Sequence, residues 1–270
     1  MRTPPSPTKQ PARILLFTLL AVALLAGLLE GLVRLPAVQR RLPAYRSFGM
    51  YHYQFEIKWF RLQDYAAQGE VDVLVMGSSL ANTGVDPAAL AAAYTARTGE
   101  PLRAFNFGVE GITIHANLEL AELLFERHRP RLLVYVSEVR DLDAAVAPDS
   151  EARLLADPWL RARAGGFEPR GWLVDHSQFL QIYLPYRNWI RADFPDTFYT
   201  FLFRTYSTSP EGYEADLTVM KPGIRPFDER YRECMDYYPS YQVSPSRLEE
   251  LQALIALGRA HGAQVVVAEM

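Results

Sequence analysis

The stretch Val71-Asp72-Val73-Leu74-Val75-Met76-Gly77-Ser78-Ser79-Leu80 decides the fold of this chain. An apolar run of strand-forming residues ends there in a tight Gly-Ser turn. In an open α/β sheet, binding and catalytic sites form at the carboxyl ends of the strands. Ser79 is therefore a candidate nucleophile or oxyanion-site residue. The alternative is an ordinary turn whose hydroxyls bond to the local backbone.

Further along the chain, apolar runs alternate with amphipathic segments. We predict strands at residues 71–76, 102–107, 132–136 and 264–268, separated by helices at 86–96, 113–129 and 245–261. Asp86-Pro87 and Ser244-Pro245 supply N-caps with proline at the first helical position, and Gly99 ends the first of these helices. Right-handed crossovers then give a mostly parallel sheet with helices on both faces. We expect an α/β fold of three layers, α/β/α, of the flavodoxin-like kind.

The alternation stops between residues 142 and 241, a segment rich in aromatic residues, arginine and proline. We interpret it as a mostly helical and irregular insertion that caps the carboxyl edge of the sheet. The part between residues 183 and 204 contains Tyr186, Arg187, Trp189, Arg191, Phe198 and Tyr199. Three interpretations of this part stay open: a glycan site, a membrane-facing surface, or an amphipathic packing segment.

The N-terminus has a different character. Residues 1–13 form a basic, proline-rich tail, residues 14–29 carry no charge, and apolar character resumes after Glu30 as far as Leu35. A membrane-spanning helix needs about 20 mostly apolar residues, so we predict a transmembrane anchor at 14–35. A cleaved signal peptide is the alternative. Residues 36–69 are interpreted as a juxtamembrane connector, and residues 70–270 as the α/β domain.

Composition and charge exclude several classes of protein. The chain has 270 residues, a formal net charge of −3 and no extended basic stripe, which argues against a nucleic-acid partner. Its one cysteine, Cys234, excludes an internal disulfide and a cysteine-based metal cluster. Neither metal-ligand spacing nor a glycine-rich phosphate loop is present, so we expect no metal and no cofactor.

Three segments converge on one edge of the predicted sheet: residues 77–84, 106–111 and 137–141. With them the chain resembles the SGNH (GDSL-type) hydrolase superfamily, in its membrane-anchored, DltD-like or alginate-acetylation-like branches. Gly77-Ser78-Ser79-Leu80 is similar to that family's Gly-Asp-Ser-Leu block, with Ser78 in place of the aspartate. Asn106, Gly108 and Gly111 fit its Asn-x-Gly-x-x-Gly turn.

The resemblance implies a set of roles. Ser79 is the nucleophile, and the backbone N–H groups of Ser79 and Gly111 hold the oxyanion of acyl transfer. Asp141 corresponds to the aspartate of the third block. Residues expected to contact the substrate are Ser78, Asn82, Asn106 and Arg140.

Two family features are missing. The third block lacks its asparagine, for which Ser137 and Arg140 are the alternative donors, and no Asp-x-x-His block with the general base precedes Met270. Either the chain is a C-terminally truncated fragment, which we favour, or the protein lacks the family's base. His115 and His176 are the histidines considered as replacements, although a helix-end or surface role is the simpler interpretation of each.

The resulting prediction is a single-pass cell-membrane protein with its α/β domain outside the cytoplasm. Its short N-terminal tail favours this orientation, whereas the Lys/Arg count on the two sides of the helix does not decide it. The activity expected from the resemblance is that of a serine esterase or O-acyltransferase acting on acyl esters, including those of envelope glycans. The alternative is a non-catalytic envelope polysaccharide-assembly or glycan-binding protein. Envelope-assembly proteins are the expected partners.

Overall fold

The computed structural model of the chain describes residues 9–42, 46–146, 148–190, 195–215 and 241–269. Cys234 lies outside these residues. The helices are α1 (Lys9–Val33), α2 (Pro36–Gln39), α3 (Tyr53–Ala66), α4 (Ser79–Gly84), α5 (Pro87–Thr98), α6 (Ile114–Arg127), α7 (Asp149–Leu155), α8 (Pro158–Arg163), α9 (Pro169–His176), α10 (Gln178–Ile190), α11 (Pro195–Ser207) and α12 (Pro245–Ala260). The strands are β1 (Val73–Gly77), β2 (Ala104–Asn106), β3 (Leu132–Ser137) and β4 (Gln264–Glu269).

The four strands form one sheet in the order β2-β1-β3-β4, and every pairing is parallel. The predicted α/β alternation and parallel sheet are therefore confirmed, with strand boundaries that move by one to two residues. After β1 the chain adds β2 on one side and then crosses to add β3 on the other. The loops that follow β1 and β3 thus flank the switch point, where open parallel sheets form their ligand sites.

Alternate strand residues supply two hydrophobic cores. Leu74 and Met76 of β1 lie in the larger core, together with residues of α3, α6, α8 and α12. Val73 and Val75 point to the opposite face and pack in a smaller core that includes Ala81 of α4. Successive side chains of β1 thus point to opposite faces of the sheet and are buried on both, as is typical of a central parallel strand.

Helix α3 belongs to the larger core. The segment interpreted as a connector, residues 36–69, therefore contributes a helix to the body of the protein. Residues of α3 that are buried include three polar ones, Gln54, Glu56 and Lys58, besides Phe55, Ile57, Trp59, Phe60 and Leu62. Residues 54–60 of this helix are buried on every side, so this part shows no clear amphipathic period. Its polar side chains must therefore find partners inside the protein.

Helix α1 has the features expected of the anchor. Residues Pro11–Val33 are long and apolar enough to cross a bilayer, and none of their most apolar window is buried against the rest of the protein.

The insertion is helical in the part that the structure describes, with α7 to α11 following one another. Pro185 lies inside α10 and has no N–H to donate to the carbonyl of Gln181, four residues earlier. That carbonyl accepts a hydrogen bond from the Ser47 N–H instead, at 2.9 Å. The proline thus creates an acceptor that ties the segment before α3 to α10.

The first prediction tests the core. Replacing Leu74, which is 1% exposed at the centre of the sheet, by alanine removes buried methyl groups and leaves a cavity. We expect Leu74→Ala to lower the free energy of unfolding by about 2–5 kcal/mol. The measurement is denaturant unfolding of the full chain in detergent micelles. The matched control is Leu90→Ala on the exposed surface of α5, for which we expect a change within about 0.5 kcal/mol. Equal effects of the two changes would contradict the described sheet.

Candidate active site

Ser79 lies directly after the central strand. Ser78 precedes it as the N-cap residue of α4, and Ser79 is the first residue of that helix. Ser79 is half-buried. Among the described residues, neither its hydroxyl nor its backbone N–H has a hydrogen-bond partner. A nucleophile needs such an uncommitted hydroxyl, and an oxyanion donor needs such an unpaired N–H.

Ser78 differs from its neighbour. It is completely buried, and its Oγ has no hydrogen-bond partner within the described part of the chain. The hydroxyl that reaches the surface of the turn is therefore that of Ser79. The predicted contact between Ser78 and substrate stays a prediction.

The Asn106 side chain fixes the position of α4. Its Nδ2 donates to the carbonyls of Ala81 and Val85, each at 2.7 Å. Its Oδ1 accepts from the Gly108 N–H at 2.8 Å. One amide thus joins the end of β2, its own following turn and the helix that begins with Ser79. This is the physical basis of the Asn-x-Gly spacing seen in the sequence.

Gly108 brings the same turn against α4. A Cβ at this position would lie 2.6 Å from the Asn82 N and 2.7 Å from the Ala81 Cβ. Real Cβ atoms do not approach backbone or core atoms so closely, so the turn requires glycine here. The Asn82 Nδ2 in turn lies 3.4 Å from Glu110 Oε1. The structure therefore brings together the Ser79 helix, Asn106 and the loop that leads to Gly111.

Gly111 has the left-handed backbone conformation, with φ at +69°. Its carbonyl accepts a hydrogen bond from Ser150 Oγ of α7, at 2.5 Å. Its N–H, like that of Ser79, has no hydrogen-bond partner among the residues that the structure describes. Gly111 is thus held in place through its carbonyl while its N–H stays available as a donor.

The third segment is held by local contacts. Asp141 is completely buried, and its Oδ2 accepts from Tyr135 Oη at 2.8 Å and from the Glu138 N–H at 3.0 Å. Burial raises the pKa of the Asp141 carboxyl to about 6. Arg140 donates through Nε to Glu138 Oε1 at 2.6 Å. Within the described residues, none of these hydrogen bonds reaches Ser79, so the predicted roles of Asp141 and Arg140 stay predictions.

A buried polar network that the sequence did not reveal lies beneath the Asn106 turn. Lys58 Nζ lies 3.4 Å from Asn106 Oδ1. Gln54 Nε2 donates to Glu214 Oε2 at 2.9 Å, and its Oε1 accepts from the Glu110 N–H. The available signal was weak: Lys58 is one of three lysines in the chain, and it lies one turn after Gln54 in a helix that mixes apolar and polar residues.

Arg204 of α11 closes this network from the insertion. Its Nη1 lies 3.0 Å from Glu110 Oε1 and 2.8 Å from Glu214 Oε1. The insertion therefore contacts the carboxyl edge of the sheet, as its position in the sequence predicts. Burial lowers the pKa of Lys58 to about 7, although the carboxylates of Glu214 and Glu110 act in the opposite direction.

Histidines near the site have distinct surroundings. His115, at the start of α6, places Nδ1 at 2.8 Å from Glu250 Oε1 of α12. His52 Nδ1 accepts from the Phe55 N–H, and its Nε2 lies 3.1 Å from the Glu110 carbonyl, so both ring nitrogens are occupied. His176 lies by the end of α1, because its carbonyl accepts from Arg34. Two of these three have an imidazole–carboxylate pairing of the kind found at catalytic bases: His115 with Glu250, and His176, whose Nδ1 lies 3.6 Å from Asp175 Oδ2. His115 has the shorter contact and lies just after the Gly111 turn.

Comparison with known proteins identifies no relative. No family model, curated protein or solved structure matches the chain. The site must therefore be interpreted from its own geometry. In the part of the chain that the structure describes, no group of three or more His, Cys, Asp or Glu residues is arranged to hold a metal ion.

The second prediction concerns Lys58. The pKa of Lys58 in the folded protein, about 7, lies below the usual lysine pKa of 10.5, so the unfolded chain binds more protons between these pH values. The free energy of unfolding should therefore rise with pH through this window, by up to about 1.4 kcal/mol per pH unit from this group. Lys58→Met should remove that rise.

Denaturant unfolding of the full chain in micelles at pH 7, 8 and 9 checks this prediction. Arg97→Met removes an exposed cation of α5 and serves as control, because it should leave the slope against pH unchanged. A Lys58→Met slope equal to that of the wild type would show that Lys58 is charged and well solvated in the folded protein.

Proposed function

We propose that this protein is a membrane-anchored serine esterase or O-acyltransferase of SGNH type, with Ser79 as its nucleophile and its α/β domain outside the cytoplasm. One observation carries the proposal: the uncommitted Ser79 hydroxyl follows the central strand, beside the switch point of the sheet. Ordinary turn serines bond to local backbone, and Ser79 has no such bond among the described residues.

The fold supports the same assignment. The order β2-β1-β3-β4 is the start of the flavodoxin-like order, in which sites form between the loops after β1 and β3. Helices α3, α6 and α12 pack on one face of the sheet, and α4 packs on the other. We propose that these are the layers of the three-layer α/β/α fold that the SGNH resemblance implies.

The proposed reaction is acyl transfer through a covalent intermediate. The Ser79 Oγ attacks the ester carbonyl carbon while a general base takes its proton, and the carbonyl electron pair moves onto oxygen. The N–H groups of Ser79 and Gly111 donate to this oxyanion. Its collapse expels the alcohol, which takes the proton from the base. Water or a glycan hydroxyl then attacks the acyl carbon while the base takes its proton. The bond from that carbon to Ser79 Oγ breaks, Oγ takes the proton from the base, and an acid or a new ester is released.

His115 is the described residue best suited to be the base. Glu250 contacts its Nδ1 as the carboxylate of a triad does, and α6 begins just after the Gly111 turn. The substrate class that we propose is an acyl ester of a cell-envelope glycan. The membrane anchor supports this class, because it holds the domain beside the envelope polymers.

The third prediction tests the nucleophile. The full chain in membranes is treated with a fluorophosphonate probe, which reacts with activated serines. We expect labelling of the wild type and loss of label in Ser79→Ala, because the attacking oxygen is gone. Ser246→Ala removes an exposed hydroxyl from α12 and should label like the wild type.

Equal labelling of Ser79→Ala and wild type, or no labelling of either, would contradict the proposal. The non-catalytic envelope-assembly or glycan-binding protein would then be favoured. In the same assay, His115→Gln separates two cases. Loss of label identifies His115 as the base, whereas retained label shows that another residue takes the proton.

A further inference from the structure

The last turn of α1 is hydrogen-bonded to the corner between α9 and α10. The Glu30 carboxylate accepts from Ser177 Oγ at 2.8 Å and from the N–H groups of Gln178 and Phe179 at 3.0 and 3.1 Å. Arg34 donates to Glu30 at 2.7 Å and to the carbonyl of His176 at 3.3 Å. The corner is therefore fixed to the end of the apolar helix through several directional contacts.

These contacts set the height of the corner relative to a bilayer. The uncharged residues 14–29 rise about 24 Å along the helix axis. The hydrocarbon core of a bilayer is about 30 Å thick, so a helix charged at Arg13 and Glu30 leaves the core close to Glu30. Residues 177–179, which contact Glu30, then lie at the level of the lipid headgroups.

An apolar surface lies on the N-terminal side of this corner, on α9 and just before it, and its Trp172 and Leu173 are about one helical turn from His176. We call it the α9 face: Phe167, Trp172 and Leu173, which are 96%, 58% and 51% exposed. The Trp172 ring stacks on the His176 ring, with centroids 4.5 Å apart. One turn of helix rises about 5.4 Å, and each headgroup layer is about 5–7 Å thick. Trp172 therefore lies within reach of the headgroup layer.

The chemistry of the α9 face fits a lipid surface. Single exposed apolar residues are common on soluble proteins, but a cluster of large ones marks an interaction site. Tryptophan is enriched where membrane meets water, because its ring is apolar and its N–H is polar. Arg170 is exposed between Phe167 and Trp172. Its guanidinium is suited to the phosphates of anionic headgroups.

We propose that the α9 face inserts into the headgroup layer of the leaflet from which α1 emerges. The α/β domain then lies on the bilayer with two contacts, the α1 helix and the α9 face. This inference rests on the anchoring part of the proposed function, in which α1 spans the membrane. It is independent of the catalytic role of Ser79.

The experiment uses the full chain in vesicles of phosphatidylcholine and phosphatidylglycerol. Cys234→Ser removes the native thiol, and Phe167→Cys introduces one label site for an environment-sensitive fluorophore. We expect quenching by nitroxide lipids labelled near the headgroup and loss of quenching by aqueous iodide. Trp172→Cys in the same background is the second variant and should behave in the same way.

Two control positions make the outcomes distinguishable. A label at Arg97→Cys, on the exposed surface of α5, should be quenched by iodide and not by the lipids. A label at Leu20→Cys, in the middle of α1, should be quenched by nitroxides placed deep in the acyl chains. Lipid quenching at positions 167 and 20 together would support the proposal.

Three other results would overturn it. Iodide quenching at position 167, with lipid quenching at position 20, would show that α1 spans the membrane but that the α9 face does not contact lipid. Absence of lipid quenching at position 20 would show that α1 does not span the membrane, and the proposed contact of the α9 face would fail with it. Protection of position 167 from both quenchers shows that a protein surface, and not lipid, covers the α9 face.

Discussion

The burial of polar side chains on α3 is the constraint on which the rest of the structure depends. An unpaired polar group in a protein interior costs several kcal/mol in the worst cases, so Gln54, Glu56 and Lys58 require partners. Gln54 finds Glu214 and the Glu110 N–H, and Lys58 finds Asn106. The loop that leads to Gly111 is therefore positioned by a helix that lies close in sequence to the apolar helix α1. A substitution in α3 would therefore alter the site through Asn106 and the Glu110 loop.

Glu56 shows how strongly α3 is committed to the interior. Its Oε2 accepts from the Phe48 N–H at 2.7 Å, while its Oε1 has no hydrogen-bond partner among the described residues. Burial, together with the nearby carboxyl group of Asp157, raises the pKa of Glu56 to about 8. Two buried carboxyl groups avoid mutual repulsion when one of them keeps its proton. A proton thus helps to hold α3 against the start of α8 near neutral pH.

Local patterns in the sequence predicted the elements of the α/β body, and non-local contacts explain what they missed. The Asp86 cap is confirmed by its bonds to the N–H groups of Ala88 and Ala89, and Gly99 ends α5 in the left-handed conformation. Strand β1 begins two residues later than predicted, at Val73, and the Asp72 side chain just before it bonds to the Arg103 N–H and to Arg131.

In the candidate site, too, the sequence predicted the residues with local contacts and missed those with non-local contacts. Asn106 and Gly108 act on neighbours close in the fold and left a motif in the sequence. Lys58 left no motif, because its role depends on Asn106, Glu110 and Glu214, which lie in two distant segments.

The Glu30 contacts also have a consequence for biosynthesis. Glu30 and its partner Ser177 are 147 residues apart in the chain. Ribosomes add about 5–20 residues per second, so the partner is completed roughly 7–30 s after Glu30. The hydrogen-bond partners of Ser47 and Gln54, which are Gln181 and Glu214, are likewise synthesised much later. For much of that interval α3 lacks its partner Glu214 and the cover that α8 supplies. The nascent chain therefore passes through a stage in which α3 is only partly covered, and this stage is where we expect a dependence on chaperones.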